Sequence, residues 1–287
     1  MNATSAAAHE PGTERRGEIR TPDGITLATA SWIPDRPKAV ALLAHGHAEH
    51  VGRYVHVIEA LTARGYAVYS QDHRGHGRSG GERALAMRFD DYVDDFRLMA
   101  LEAQGANPEL PMVLIGHSMG GLIAARYALA YGDDLVALVT SGAAFIIDEG
   151  VPAWKKAIAR IISRIFPKAP VPRGEGDTLS YDPNVKEAFA ADPLNYHGKT
   201  RMRTAVEMTN AGADALKRAG ELRLPYLAMH GVDDTLTSPR GTKLFYERAS
   251  STDKTLRMWP QMKHEIFNEV ERDSVITYML NWLDERI

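Results

Sequence analysis

The nine residues Val113-Leu114-Ile115-Gly116-His117-Ser118-Met119-Gly120-Gly121 constrain this chain more than any other stretch. The first three are apolar and two of them are β-branched, as in a short buried strand. Gly-x-Ser-x-Gly follows, and Leu122-Ile123-Ala124-Ala125-Arg126-Tyr127-Ala128-Leu129-Ala130 then reads as a helix. Strand, sharp turn, helix is the setting in which this motif presents a serine as a nucleophile. Such a turn strains the serine backbone so that the hydroxyl projects from the sheet edge. A side chain at Gly116 or Gly120 would collide with the neighbouring strand or helix. The helix N-terminus also favours negative charge developing beside the serine. A serine that merely caps a helix is the plain alternative. The bare motif is common by chance, so the serine needs partners elsewhere in the chain.

Those partners must sit on a fold, and the pattern along the chain supplies one. Pro22-Asp23-Gly24 separates Glu18-Ile19-Arg20 from Ile25-Thr26-Leu27-Ala28-Thr29-Ala30, a hairpin signal. Ala39-Val40-Ala41-Leu42-Leu43-Ala44 is a continuous apolar run, as in a strand buried on both faces. Strands and helices then alternate: a helix over 54–63, a strand over 66–70, a helix over 91–104, the serine strand and its helix, and a strand over 135–141. The alternation stops there and resumes with a strand over 224–231, a helix over 240–250, a strand over 255–259 and a helix over 274–286. This order argues for an α/β class with a mostly parallel sheet covered by helices on both faces. In such sheets ligands bind at the carboxyl ends of the strands. Residues 1–17 read as a flexible tail, 18–142 and 224–287 as two parts of one core, and 143–223 as a helical cap inserted before the last two core strands.

A serine nucleophile needs a histidine base and a carboxylate to orient that base, here in the chain order Ser, acid, His. Gly231-Val232-Asp233-Asp234-Thr235-Leu236 follows the penultimate strand, and Pro260-Gln261-Met262-Lys263-His264-Glu265 follows the last. Either aspartate satisfies the order, and His264 is the base. Negative charge on the substrate oxygen needs backbone donors. The N–H groups of Met119, after the serine, and of His47, in the loop after the early strand, are assigned to that role.

These stretches together resemble the monoglyceride lipase family of α/β-hydrolases. The resemblance rests on His45-Gly46-His47-Ala48-Glu49-His50-Val51-Gly52-Arg53-Tyr54, Asp72-His73-Arg74-Gly75-His76-Gly77-Arg78-Ser79-Gly80-Gly81, Gly116-His117-Ser118-Met119-Gly120-Gly121 and His264-Glu265-Ile266-Phe267-Asn268-Glu269. Asp182-Pro183-Asn184-Val185 and Asp192-Pro193-Leu194 are similar too. It runs from about Glu18 to the end of the chain. It implies the α/β-hydrolase fold, hydrolysis of monoacylglycerols to glycerol and fatty acid, no cofactor, and a cap over the site. The family's His-Gly-x-x-Asp pattern places the acid at Asp234, giving a triad of Ser118, Asp234 and His264. The family usually carries glycine where this chain has Ala48, a departure that bears on the geometry of that loop.

Other readings of the same residues are weaker. His45-x-His47-x-Glu49-His50 also resembles the zinc-binding pattern of the metallo-β-lactamase fold, but Glu49 stands where that pattern has Asp. A metal site would leave the serine turn and the ordered Asp and His unexplained, so no metal is assigned. Glu49 reads more simply as an i,i+4 ion pair with Arg53, and His73 and His76 as polar braces of a glycine turn. A non-catalytic binding protein would usually lack a triad member. Acyl transfer to an alcohol stays open, because only the second acceptor differs.

The 287 residues carry a net charge of −3 and no cysteine. Nothing attracts nucleic acid in general, and disulfides, thiolate catalysis and cysteine-held zinc are excluded. The start of the chain lacks a secretory pattern, so the protein reads as cytoplasmic, peripheral to a membrane at most. Within the cap, Trp154, Ala157, Ile158, Ile161, Ile162, Ile165 and Phe166 fall on one helix face. Lys155, Lys156, Arg160, Arg164, Lys168 and Arg173 make the stretch basic, with no acidic residue over 151–173. The favoured reading packs the apolar face on the core with the basic face in solvent. The functional alternative is transient contact of the cap with a lipid or membrane surface.

Overall fold

The computed structural model describes residues 12–171 and 179–287. In chain order its elements are β1 (Glu14–Arg20), β2 (Thr26–Trp32), β3 (Ala39–Ala44), α1 (Val55–Ala63), β4 (Tyr66–Gln71), α2 (Asp90–Ala106), β5 (Met112–His117), α3 (Met119–Tyr131) and β6 (Ala137–Ser141). Then come α4 (Ala153–Ile165), α5 (Pro183–Ala191), α6 (Met202–Arg218), β7 (Tyr226–Gly231), α7 (Pro239–Arg248), β8 (Lys254–Trp259) and α8 (Arg272–Asp284). Eight strands form one sheet in the order β1-β2-β4-β3-β5-β6-β7-β8. The first two pairings are antiparallel and the rest parallel.

The apolar runs are continuous because the parallel strands are covered on both sides. In β3 all six residues are buried. Val40, Leu42 and Ala44 join one core layer, with α2, α3, α6 and α7, while Ala39, Ala41 and Leu43 join the other, with α1 and α8. Period-2 alternation thus splits one strand between two cores. The parallel strands all run the same way, so the loops after β3, β5, β6, β7 and β8 gather at one edge of the sheet.

The structure corrects two expectations. β1 begins at Glu14, inside the stretch 1–17 read as a flexible tail. Its side chains are nearly all exposed, so no apolar alternation marks it. Its backbone ladder to β2 holds it, from Glu14 opposite Trp32 to Arg20 opposite Thr26. Residues 1–11 of the tail lie outside the described residues. The second correction concerns α4. Its apolar stripe does not pack on the core: Trp154 is 63% exposed, Ile158 47%, Ile161 60% and Ile165 65%. The buried residue of this helix is Ser163, with Ala159 and Ile162 half-buried. α4 meets α6 through this side, which rolls the wide apolar stripe outward. Arg173, counted with the basic residues of this stretch, lies outside the described residues.

The segment between β6 and β7 is tied to the sheet edge at several points. Tyr196 N donates to Ala48 O (2.8 Å), Glu265 N to Leu179 O (2.8 Å) and Thr204 Oγ1 to Ala84 O (3.0 Å). His50 Nε2 meets Asp192 Oδ2 at 2.8 Å. α6 belongs to the core itself: Met208, Ala211, Ala215 and Leu216 join the layer that contains α3.

Candidate active site

Ser118 sits between β5 and α3 with φ 56° and ψ −118°, a region that costs a non-glycine residue about 1–3 kcal/mol. Its neighbours hold it there. Ser118 N donates to Ser141 O (2.9 Å), and Ser118 O accepts from Leu122 N (3.1 Å) and Ala144 N (3.0 Å). The glycines around it are steric necessities. A Cβ on Gly116 would lie 2.3 Å from Gly120 O, and one on Gly120 2.1 Å from Ala44 O. The strained turn lifts the hydroxyl off the sheet edge at the N-terminus of α3.

His264 reaches Ser118 from the loop after β8. Its Nδ1 lies 2.7 Å from Asp234 Oδ2 and its Nε2 2.8 Å from Ser118 Oγ. Asp234, in the loop after β7, is buried among donors. Leu236 N (2.8 Å) and Thr237 N (3.0 Å) both donate to Oδ1, and His230 Nε2 lies 2.9 Å from Oδ2. Burial pushes this carboxyl up, but His264 beside it and the hydrogen bonds from His230 and His264 outweigh that and hold it far below the usual carboxylate range. The acid is therefore ionised, so His264 Nδ1 carries a proton toward it and Nε2 is left to accept from Ser118 Oγ. Burial pulls the His264 pKa down, but the charge and hydrogen bond of Asp234 raise it above the ordinary 6.5. Asp233 points elsewhere: its Oδ2 accepts from Tyr181 OH (3.1 Å) and its N–H donates to Met262 O.

His47 and Met119, expected to supply backbone donors, both line the hollow above Ser118. The loop between His47 and Glu49 turns through Ala48 at φ 68°, where the family pattern usually has glycine. His45 and His73 lock two loops together: His73 N donates to His45 Nε2 (2.9 Å), and His73 Nε2 lies 3.0 Å from His45 O. His50 is engaged with Asp192, and Glu49 with Arg53 and Tyr54. Among the described residues, no three His, Asp or Glu side chains converge on a common point that would hold a metal ion.

Several residues of the site escaped the sequence reading. His230 donates through Nε2 to Asp234 while its Nδ1 accepts from Thr242 Oγ1 (2.7 Å). Thr237 Oγ1 lies 2.8 Å from Asp234 Oδ2 and 2.9 Å from Gly142 O, and its one proton serves either. The ring of His117 lies 4.8 Å from that of His264. Burial, and the like charge His264 would carry, pull the His117 pKa down to about 3, so it adds no charge there. Arg53 bridges two buried carboxylates, Glu49 (2.5 Å) and Glu265 (2.9 and 2.7 Å), under the ring of Phe189 on α5. The i,i+4 spacing of Glu49 and Arg53 signalled half of this cluster. Glu265, 212 residues from Arg53, gave no local signal.

Above Ser118 is a cavity of about 580 Å³, within the usual size range for a small-ligand site. The sheet-edge loops form its floor. Val171, Leu179, Phe189, Ala205 and Met208, from the segment between β6 and β7, form an apolar wall opposite.

The sequence pattern of the Hydrolase_4 family (serine aminopeptidase, S33) matches residues 35–271. The chain belongs to this family. Its sheet, helices and site loops make it an α/β-hydrolase in fold. A monoacylglycerol lipase of Mycolicibacterium smegmatis is 38% identical over 261 residues, covering 91% of this chain and 93% of that one. A monoglyceride lipase of Rattus norvegicus is 29% identical, covering 92% and 89%. The crystal structure of Paleococcus ferrophilus monoacylglycerol lipase matches with a TM-score of 0.82 at 28% identity, covering 91% of this chain and 99% of that one. In this Hydrolase_4 member Ser118, Asp234 and His264 follow β5, β7 and β8, in that order.

Proposed function

We propose that this protein is a serine hydrolase that cleaves monoacylglycerols to glycerol and fatty acid through an acyl-enzyme. Ser118 Oγ attacks the ester carbonyl as His264 Nε2 takes its proton. The backbone N–H groups of His47 and Met119 receive the oxyanion, and Asp234 holds His264 in the working tautomer and stabilises the imidazolium. His264 returns the proton to the departing glycerol oxygen. Water, deprotonated by the same imidazole, then releases the fatty acid. No step calls for a cofactor.

The observation that carries this reading is the 2.8 Å contact of Ser118 Oγ with His264 Nε2 at the floor of a cavity with an apolar opposite wall. The likeness to monoacylglycerol lipases supports the ester class. A second feature favours an ester over an amino-terminal peptide. An aminopeptidase needs an anion for the substrate ammonium, whereas Glu49 and Glu265, both on the cavity wall, are bound by Arg53.

Residues 143–223 act in this proposal as a cap. The outward stripe Trp154, Ile158, Ile161 and Ile165, beside Arg164, would rest on a lipid surface while the cavity behind takes one acyl chain. Among the described residues no helix is long and apolar enough to cross a membrane. In this reading the contact is peripheral and made from the cytoplasm. Rates on mono-, di- and triacylglycerols across chain lengths test the function. Monoacylglycerols are expected to be cleaved fastest, and comparable rates on long-chain triacylglycerol emulsions would refute the assignment.

A further inference from the structure

A second hollow of about 270 Å³ lies between α4 and α6. Ile147, Val171 and Ala205 line it and also line the main cavity, so the two share an apolar wall. Ala159, Met202 and Val206 add further apolar surface. Its rim is cationic, with Lys155, Lys156 and Arg160. Lys156 is paired with Asp148, also on the rim, at 2.7 Å. Lys155 Nζ lies 5.5 Å from the centre of the Trp154 ring. Arg160 has no ion pair among the described residues. One acid against three cations leaves the rim positive, next to an apolar floor that shares Ile147, Val171 and Ala205 with the main cavity.

A neutral monoacylglycerol gives these cations nothing to bind, but its hydrolysis does. Ester plus water yields an alcohol, a carboxylate and a proton. A fatty acid is ionised at neutral pH, since carboxyl groups titrate near 4. Product therefore differs from substrate by one negative charge, on the atoms that must leave Ser118. We propose that the hollow between α4 and α6 binds the carboxylate of a long-chain fatty acid, with Arg160 and Lys155 on the head group and the alkyl chain along the shared wall. The assignment rests on the proposed hydrolysis for the origin of the acid. It adds a place where product is held apart from the serine.

The test measures binding of radiolabelled dodecanoate by equilibrium dialysis, with dodecanol as the neutral probe of equal length. Two variants are compared with the unaltered protein: the double Lys155→Gln, Arg160→Gln, and Val206→Trp, which fills the hollow and leaves its rim intact. Melting temperature reports on folding in each. The double variant is expected to bind dodecanoate at least fivefold more weakly and dodecanol within twofold of normal. Val206→Trp is expected to weaken dodecanoate by a similar factor. Unchanged dodecanoate affinity in both folded variants overturns the proposal, and so does an equal loss for dodecanol in the double variant. If the double variant loses binding to phosphatidylglycerol vesicles and keeps dodecanoate, the cations read a lipid head group and the proposal also fails. Turnover of monododecanoylglycerol is measured separately. Its absence would sink the hydrolase assignment and leave a carboxylate site standing on the binding data.

Discussion

Asp234→Asn is expected to cripple turnover while Asp233→Asn leaves it within twofold, and the structure says why the amide cannot adapt. Asp234 Oδ1 accepts from two backbone N–H groups, those of Leu236 and Thr237. In the asparagine variant the amide oxygen must take that place, because an NH₂ group there would face two donors. The Nδ2 group then replaces Oδ2, 2.7 Å from His264 Nδ1 and 2.9 Å from His230 Nε2. His230 adjusts by moving its proton to Nδ1, toward Thr242 Oγ1, which accepts it. His264 adjusts as well, and that is the damage. Its Nδ1 becomes an acceptor, its proton moves to Nε2, and Nε2 no longer takes the proton of Ser118. In serine proteases this tautomer error costs about 10⁴ in turnover, equivalent to about 5 kcal/mol of barrier. The side chain of Asp233 faces Tyr181 at the surface, so its neutralisation leaves the His264 tautomer alone. The assay is kcat on one soluble ester for both variants, after melting curves confirm folding. Near-normal turnover in Asp234→Asn, or loss in Asp233→Asn alone, refutes the argument.

Four further outcomes are expected. A fluorophosphonate labels Ser118, as read by peptide mass mapping; both Ser118→Gly and Ser118→Ala are inactive, and the glycine variant is the more stable by about 1 kcal/mol because only glycine sits at φ 56° without strain, seen as a melting temperature about 2 °C higher. The acid limb of kcat/KM has its midpoint above 6.5, since the base works unprotonated and Asp234 raises the pKa of His264; activity is lost as pH falls through that raised value, and a midpoint below 6.5 would count against His264 as the base. Arg53→Ala leaves Glu49 and Glu265 buried without their cation and lowers stability by about 3–5 kcal/mol, measured by chemical denaturation. Replacing Trp154, Ile158 and Ile161 with glutamine barely shifts the melting temperature, because all three are about half-exposed or more, but weakens activity on long-chain monoacylglycerol far more than on a short soluble ester; equal losses on both substrates would indicate a purely structural helix.

Burial on two faces made the centre of the fold legible. Ala39–Ala44 reads as an apolar block because both of its sides enter a core, and the bounds of that block match the strand. The edges carried weaker signals. β1 is exposed nearly throughout, and its pairing comes from backbone groups that any sequence possesses. The same contrast runs through the site. Ser118 and His264 each follow a strand, as does the pair Asp233 and Asp234, so chain order and turn chemistry pointed to the serine, the histidine and that pair, and the family pattern chose Asp234. His230 lies inside β7, four residues before Asp234, and nothing distinguishes a strand histidine that supports a carboxylate from one that fills a core.

Helix α4 sets the limit of periodicity. Spacing determines which residues share a face of α4, and the structure keeps Trp154, Ile158, Ile161 and Ile165 together on one side. Spacing does not determine where that face points. A wide apolar stripe is the same pattern whether it meets a core, a partner or lipid. On α4 the contact with α6 falls on the side holding Ala159 and Ser163, residues small enough for close approach but too few to stand out as a stripe. α6 in turn commits Met208, Ala211, Ala215 and Leu216 to the main core and turns only the short apolar patch of Met202, Ala205 and Val206 toward the hollow beside α4. The roll of the helix thus follows from its neighbour's commitments, which are long-range and invisible within the helix's own sequence. The result is an apolar face in solvent on one side of α4 and a cationic hollow against α6 on the other.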